Sequence, residues 1–150
     1  MAGFMYPQVE QLHVIGALKT QMATGILKLF KSQITFNPSL AAADFTAIEC
    51  DFTGYASVTL TTLPAAFVDP INGGVSFQIP TVQWTCSNPL TTPNPVYGGW
   101  IEDSTNVLLM AWQINVPWQM DQPSKALPLD LLINMYGTNQ VYVSIQGVPK

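Results

Sequence analysis

Arginine is absent from this sequence, and basic residues of any kind are few: five lysines stand against nine acidic residues in a chain of 150. Guanidinium is the side chain best shaped to fork onto phosphate and guanine edges, and a formal net charge of -4 repels a nucleic-acid backbone. Nucleic acid is therefore not an expected partner. Charge of either sign is also scarce, at 9% of residues against about 25% in an ordinary soluble domain. A free monomer keeps charge on its surface for solubility, so the deficit predicts a chain that hides part of its outside in an assembly.

Histidine occurs once, as His13, and cysteine twice, as Cys50 and Cys86. Nucleophilic catalysis needs a base beside the nucleophile, and a lone histidine between Leu12 and Val14 reads as a packing or surface residue. Two cysteines 36 positions apart supply neither a disulfide framework nor a zinc knuckle. They read as small buried hydrophobes on strands, with a disulfide between them left open in case those strands are neighbours. The sequence has no Cys-x-x-Cys, no His-Glu-x-x-His, no phosphate-binding glycine loop and no dinucleotide fingerprint. Paired carboxylates can hydrolyse a glycoside, which brings Glu49, Asp51, Glu102 and Asp103 into consideration. On an extended segment Glu49 and Asp51 share one face, an arrangement that equally makes a solvated edge or a cation site. Nothing in the sequence raises either pKa or forms a cleft. The expectation is a protein that is not an enzyme, with no catalytic residue, no cofactor and no metal.

Long apolar runs are missing too. No stretch reaches the ~18 residues of a membrane-spanning helix, and Lys19, Lys28 and Lys31 interrupt the most apolar N-terminal region. The start of the chain lacks a basic segment followed by an apolar block and a small-residue cleavage site. It is expected to be made in a cytoplasm and to remain there unless it leaves inside a particle. The triplet Asn37-Pro38-Ser39 is closed to glycosylation by its proline.

Hydrophobic residues, by contrast, make up 48% of the chain, and from Gly25 onward they recur with a period of two, the signature of strands. Leu108, Met110, Trp112, Ile114 and Val116 hold one register. Val107, Leu109 and Ala111 make the first half of that segment apolar on both faces, as in a strand covered on both sides. Val58 and Leu60 alternate with threonines, and Val141, Val143 and Ile145 alternate with polar residues. Val75, Phe77 and Ile79 share a phase that flips at Pro80 to Val82, Trp84 and Cys86, as expected where a strand bulges, bends or changes sheet. Turn residues separate these runs, and Val96 to Glu102 pairs with Val107 to Val116 as a hairpin across Asp103–Asn106.

One domain of this length with short strands, 12 prolines and 10 glycines predicts an all-β fold, an antiparallel β-sandwich or jelly-roll-like domain over residues 25–150. Ser39 to Phe45 is expected to form one helical turn. Residues 1–24 are either an extended arm or a short helix over Gln8 to Met22 with Val9, Leu12 and Met22 on one face. Trp84 and Trp112 fall in register with the core. Trp100 and Trp118 lie near strand ends, where loops bind, and serve equally as interface anchors or as a sugar-stacking platform. With Phe4, Tyr6 and Leu12 of the N-terminal segment they are the candidate interface residues.

Residues 27–137 resemble a family of small proteins encoded in tailed-phage and environmental phage genomes. The matching pieces are Leu29-Phe30-Lys31, Ala43-Asp44-Phe45-Thr46, Phe52-Thr53-Gly54-Tyr55-Ala56 leading into Val58-Thr59-Leu60, Val96-Tyr97-Gly98-Gly99-Trp100 with Ile101-Glu102-Asp103, Leu108-Leu109-Met110-Ala111-Trp112, and Val116-Pro117 leading to Ala126-Leu127-Pro128. The resemblance implies a virion structural protein, a capsid decoration or cement protein that binds the major capsid protein or other virion proteins and oligomerises. Its alternative is a carbohydrate- or receptor-binding module of a phage tail or tail tip. The family motifs carry no catalytic residues, and the segment through Thr24 lies outside the match.

Overall fold

The computed structural model describes residues 8–68, 74–135 and 141–146. A helix, α1 (Gln8–Met22), leads into β1 (Ile26–Phe30), a short helix α2 (Ala42–Thr46), and then seven strands: β2 (Val58–Thr59), β3 (Phe67–Val68), β4 (Val75–Thr85), β5 (Asn94–Glu102), β6 (Leu108–Met120), β7 (Ala126–Met135) and β8 (Val141–Gln146). They form two four-stranded antiparallel sheets, ordered β2-β1-β5-β6 and β3-β4-β7-β8. This is the all-β antiparallel class that the period-two pattern predicts. Each sheet is made of sequence-adjacent strand pairs joined through β1–β5 or β4–β7, an order that does not establish the jelly-roll form.

Between the sheets lies one apolar core. Leu27, Leu29, Ile101 and Trp112 from the first sheet meet Val75, Phe77, Ile79, Trp84, Leu127, Leu129, Leu131 and Ile133 from the second. The phase flip at Pro80 is a β-bulge: Ile79 pairs with Leu131 and Val82 with Leu129, so three steps on β4 match two on β7. Proline has no N–H for the ladder, and the extra residue returns Trp84 to the core side.

Residues 8–22 are helical, which decides between arm and helix for that part of the N-terminal segment. The stretch is free of proline, and Lys19 in its last turn complements the helix dipole. Its buried face is Ile15, Leu18 and Met22, spaced i, i+3, i+7, and it lies against β4 and β7. That differs from the stripe read from the sequence, since Leu12 is 41% exposed.

The hairpin between β5 and β6 closes where the turn residues place it. Asn106 adopts φ 63°, a left-handed conformation that asparagine tolerates. Asp103 Oδ1 accepts from the backbone N–H of Val107 (3.0 Å) and Thr105 (2.8 Å) and from the Thr105 hydroxyl (2.7 Å). Further along, the predicted register fails. Gly98 pairs with Gln113 but Val96 pairs with Trp118, so residues 114–117 bulge out of the ladder. Pro117 cannot donate to it, and Val116, expected on the buried face, is 54% exposed.

The first sheet is buried on both faces. Gly98 and Gly99 make this possible, because a Cβ on Gly99 would stand 2.5 Å from Trp112 Cζ2 and 2.7 Å from the Lys28 carbonyl oxygen, and one on Gly98 would meet the Trp112 carbonyl oxygen and lie 2.6 Å from Phe30 Cζ. On the side away from the main core, Phe30 and Trp100 are covered by α2, whose Phe45 stacks on Trp100 at 5.6 Å and packs on Phe30 at 5.5 Å. Ile34, Leu40 and Ile48 complete this second cluster. Residues 31–49 thus form a flap, tied at its end by the Lys31 N–H to the Ile48 carbonyl (2.8 Å) and the Cys50 N–H to the Leu29 carbonyl (2.9 Å).

The Asp103 turn predicts a pH dependence. The hydrogen bond from the Val107 N–H, with those from Thr105, favours the carboxylate and holds its pKa below 3.8. A carboxyl depressed in the folded state contributes stability that is complete above its unfolded value and is lost as pH falls through the folded one. Asp103→Ala is therefore expected to melt below the wild type at neutral pH, with the gap closing as pH drops below 3.8. Circular-dichroism melts across that range check it, and a gap that stays constant assigns the loss to something other than the carboxylate.

Candidate functional site

The side chains with most chemical potential converge on the flap side of the first sheet. Lys28 on β1, Trp100 and Glu102 on β5 and Leu108 and Ala111 on β6 share that face through the strand register. Lys28 Nζ lies 2.7 Å from Glu102 Oε1 and 3.8 Å from Glu49 Oε2, and 5.6 Å above the Trp100 ring. Trp100 Nε1 donates to Glu102 Oε2 at 2.8 Å. On the flank, Tyr55 donates its hydroxyl proton to Glu49 Oε1 (2.9 Å) and accepts the Leu29 N–H (3.1 Å), so the phenol closes a gap in hydrogen bonding along β1 between β2 and residue 49. Burial pushes the Tyr55 hydroxyl far above its ordinary range.

The acids named from the sequence are thus partly brought together. Glu49 and Glu102 meet at Lys28, but the Glu102 side chain is only 2% exposed and both of its oxygens are taken, one by the lysine and one by the indole. Their arrangement is that of a satisfied buried ion pair. Asp51 is separate, at 2.7 Å from Lys31 Nζ; that hydrogen bond, with one from Asn94, lowers its pKa. Asp103 serves the hairpin turn. Among the described residues no group of three or more histidine, cysteine or acidic side chains is placed to hold a metal ion.

Both cysteines are free and buried. Burial pushes the Cys50 thiol up to about 12 and raises that of Cys86, leaving little thiolate for nucleophilic attack. His13 is exposed on α1. A groove of about 300 Å³ lies at the opposite edge of the first sheet, lined by Val58, Leu60, Val82, Pro80 and four threonines. It carries no ionisable side chain.

Of the candidate interface residues, Phe4 and Tyr6 lie outside the described residues. Leu12 is exposed on α1, beside Val14. Trp100 is corrected: it is fully buried, because the flap that the sequence pattern could not reveal closes over it, and it offers neither an interface anchor nor a stacking platform. Trp118 is partly buried against the main core, with no hydrogen-bond partner for its indole N–H.

What the sequence reading missed is the outer rim. β6 is the outermost strand of its sheet, runs for 13 residues, and contains no charged side chain. Val107, just before it, is 55% exposed and Val116 is 54% exposed. The outermost strand at one side of the second sheet, β3, likewise presents Phe67 and Val68, 46% and 42% exposed. The signal was present in the sequence as a run free of charge, but periodicity does not tell an edge strand from a central one.

No protein-family model, no curated protein and no solved structure matches the chain. No helix among the described residues is long and apolar enough to cross a membrane.

The burial of Trp100 predicts a core phenotype. Trp100→Ala is expected to cost about 3–5 kcal/mol, measured by urea unfolding with tryptophan fluorescence and circular dichroism. A loss of about 0.5 kcal/mol or less, as for a surface substitution, would place the ring outside the core.

Proposed function

We propose that this chain is a structural protein of a phage particle, of the capsid decoration or cement type, that works by contact and not by catalysis. It is made in the host cytoplasm, ends up in the virion, and braces coat subunits through uncharged β-sheet surface. The observation that carries this reading is the 13-residue outer strand β6 without a charge, flanked by exposed Val107 and carrying exposed Val116. Soluble monomers guard such edges with charge, proline or bulges; β6 has Pro117 and its bulges at Leu109 and 114–117 but no charged residue along its length.

The placement of charge supports the same reading. Three of the five lysines are engaged within the chain: Lys28 with Glu102, Lys31 with Asp51, and Lys125 with Asp121. Docking would draw on burial of apolar area, at about 25 cal/mol per Å², less the cost of ordering the surfaces. Salt screens exposed charges and leaves apolar contacts intact.

Quantitative mass spectrometry of purified particles, before and after a molar-salt wash, tests this. The chain is expected in fixed ratio to the coat protein and is expected to stay after the wash. Its absence from particles would overturn the virion reading, and release by salt alone would overturn docking through uncharged surface.

A further inference from the structure

We infer that the flap, residues 31–49, is a hinged lid that opens and melts as one unit while both sheets stay folded, and that its opening uncovers the aromatic face of Phe30 and Trp100. This goes beyond the particle reading and does not rest on it.

The flap joins the domain at a closed base, where its two ends lie side by side. Glu49 bridges to Phe30, the Lys31 N–H donates to the Ile48 carbonyl (2.8 Å) and the Cys50 N–H to the Leu29 carbonyl (2.9 Å). Lys31 Nζ lies 2.7 Å from Asp51 and Lys28 Nζ 3.8 Å from Glu49 beside them. None of these contacts has to break for the residues beyond the base to leave the sheet.

Beyond the base the flap satisfies its own polar groups. Asp44 Oδ2 accepts the Ala41 N–H (2.8 Å), the Thr46 hydroxyl donates to the Ala42 carbonyl (3.1 Å), and the N–H groups of Asp44, Ala47 and Ile48 all donate within the segment. Among the described residues one hydrogen bond joins residues 32–47 to the sheets, from the Ile34 N–H to Gln113 Oε1 at 3.3 Å.

The remaining adhesion is apolar and narrow. Within residues 31–49 only Ala42 and Phe45 are buried. Phe45 makes the ring contacts to Phe30 and Trp100, with Ile34, Leu40 and Ile48 partly buried around it. No residue of 31–49 belongs to the main core, so the packing between the sheets is untouched when the flap leaves. The helix α2 is too short to persist off the sheet, and the released residues regain backbone freedom, which makes detachment and melting a single event. A unit of this kind opens at a lower free energy than the whole domain.

Native-state hydrogen exchange of the full chain at low urea is the test, comparing the amides of Asp44, Ala47 and Ile48 with those of the β4–β7 ladder. The three flap amides are expected to share one opening that depends little on urea, whereas the ladder amides follow the full urea dependence of unfolding. Two variants separate the events. Ile133→Val, in the core between the sheets, is expected to speed ladder exchange by about fivefold and to leave the flap amides unchanged, because that core persists in the open state. Phe45→Ala is expected to speed flap exchange by about a hundredfold or more while the β circular-dichroism spectrum is retained. Flap amides that respond to Ile133→Val as the ladder does open only with the whole domain, and overturn the lid. Wild-type flap amides that exchange at free-peptide rates, or through unrelated openings, overturn it too, since the flap is then never closed or frays residue by residue. The comparison with Ile133→Val leaves the flap unmodified, so it decides the matter even if Phe45→Ala fails to fold.

Discussion

The contact between Lys28 and Glu102 sits beneath a layer of the structure that would not otherwise stay in place. Both belong to a sheet whose other face is committed to the main core, and both project to the side where α2 and the flap must lie. An unpaired carboxylate at that depth would carry a large desolvation cost. Lys28 and the Trp100 indole together satisfy Glu102, and Glu49 brings the returning end of the flap to the same lysine. The aromatic stack of Phe45 on Trp100 then seals the site. A five-residue helix such as α2 has no stability of its own, so its position depends on what it covers.

This arrangement has a consequence for the outside of the molecule. A chain with so few charges that uses several of them to hold its own layers together leaves long surfaces without any. The rim strand β6 is the longest strand without a charge among the described residues. Gly98 and Gly99 let Phe30 and Trp112 close on the two faces of β5, which packs the ladder to β6 from Met110 to Gln113, between the bulges at Leu109 and at 114–117. The proposed assembly through such an edge draws on that scarcity of charge.

Much of the fold was legible because strand periodicity and turn chemistry are local. The bulge at Pro80, the hairpin across Asp103, the turn of helix near Phe45 and the burial of Trp84 and Trp112 all follow from residues within a few positions of one another. What was not legible depends on distant segments. Trp100 was read as lying near a strand end, and nothing local could say that residues 31–49 return to cover it. Alternation placed Val116 in register with Trp112, yet the break at 114–117 depends on how Pro117 meets the facing strand. For α1, the buried stripe of Ile15, Leu18 and Met22 is set by β4 and β7, and the weak amphipathicity of the helix could not point to it. Glu49, Asp51, Glu102 and Asp103 were weighed as candidate carboxylates, and the lysine that stands between Glu49 and Glu102, a lone charge in Ile-Leu-Lys-Leu-Phe, was the overlooked sign that those two neutralise a cation.

The most direct test of this account is a double-mutant cycle on the buried pair, with Lys28→Met, Glu102→Gln and the two combined, followed by denaturant unfolding. If the pair holds the flap to the sheet, each single change leaves a buried group without its partner, and the double variant recovers part of the loss, with a coupling of about 1–3 kcal/mol. Losses that simply add, with no coupling, would contradict it.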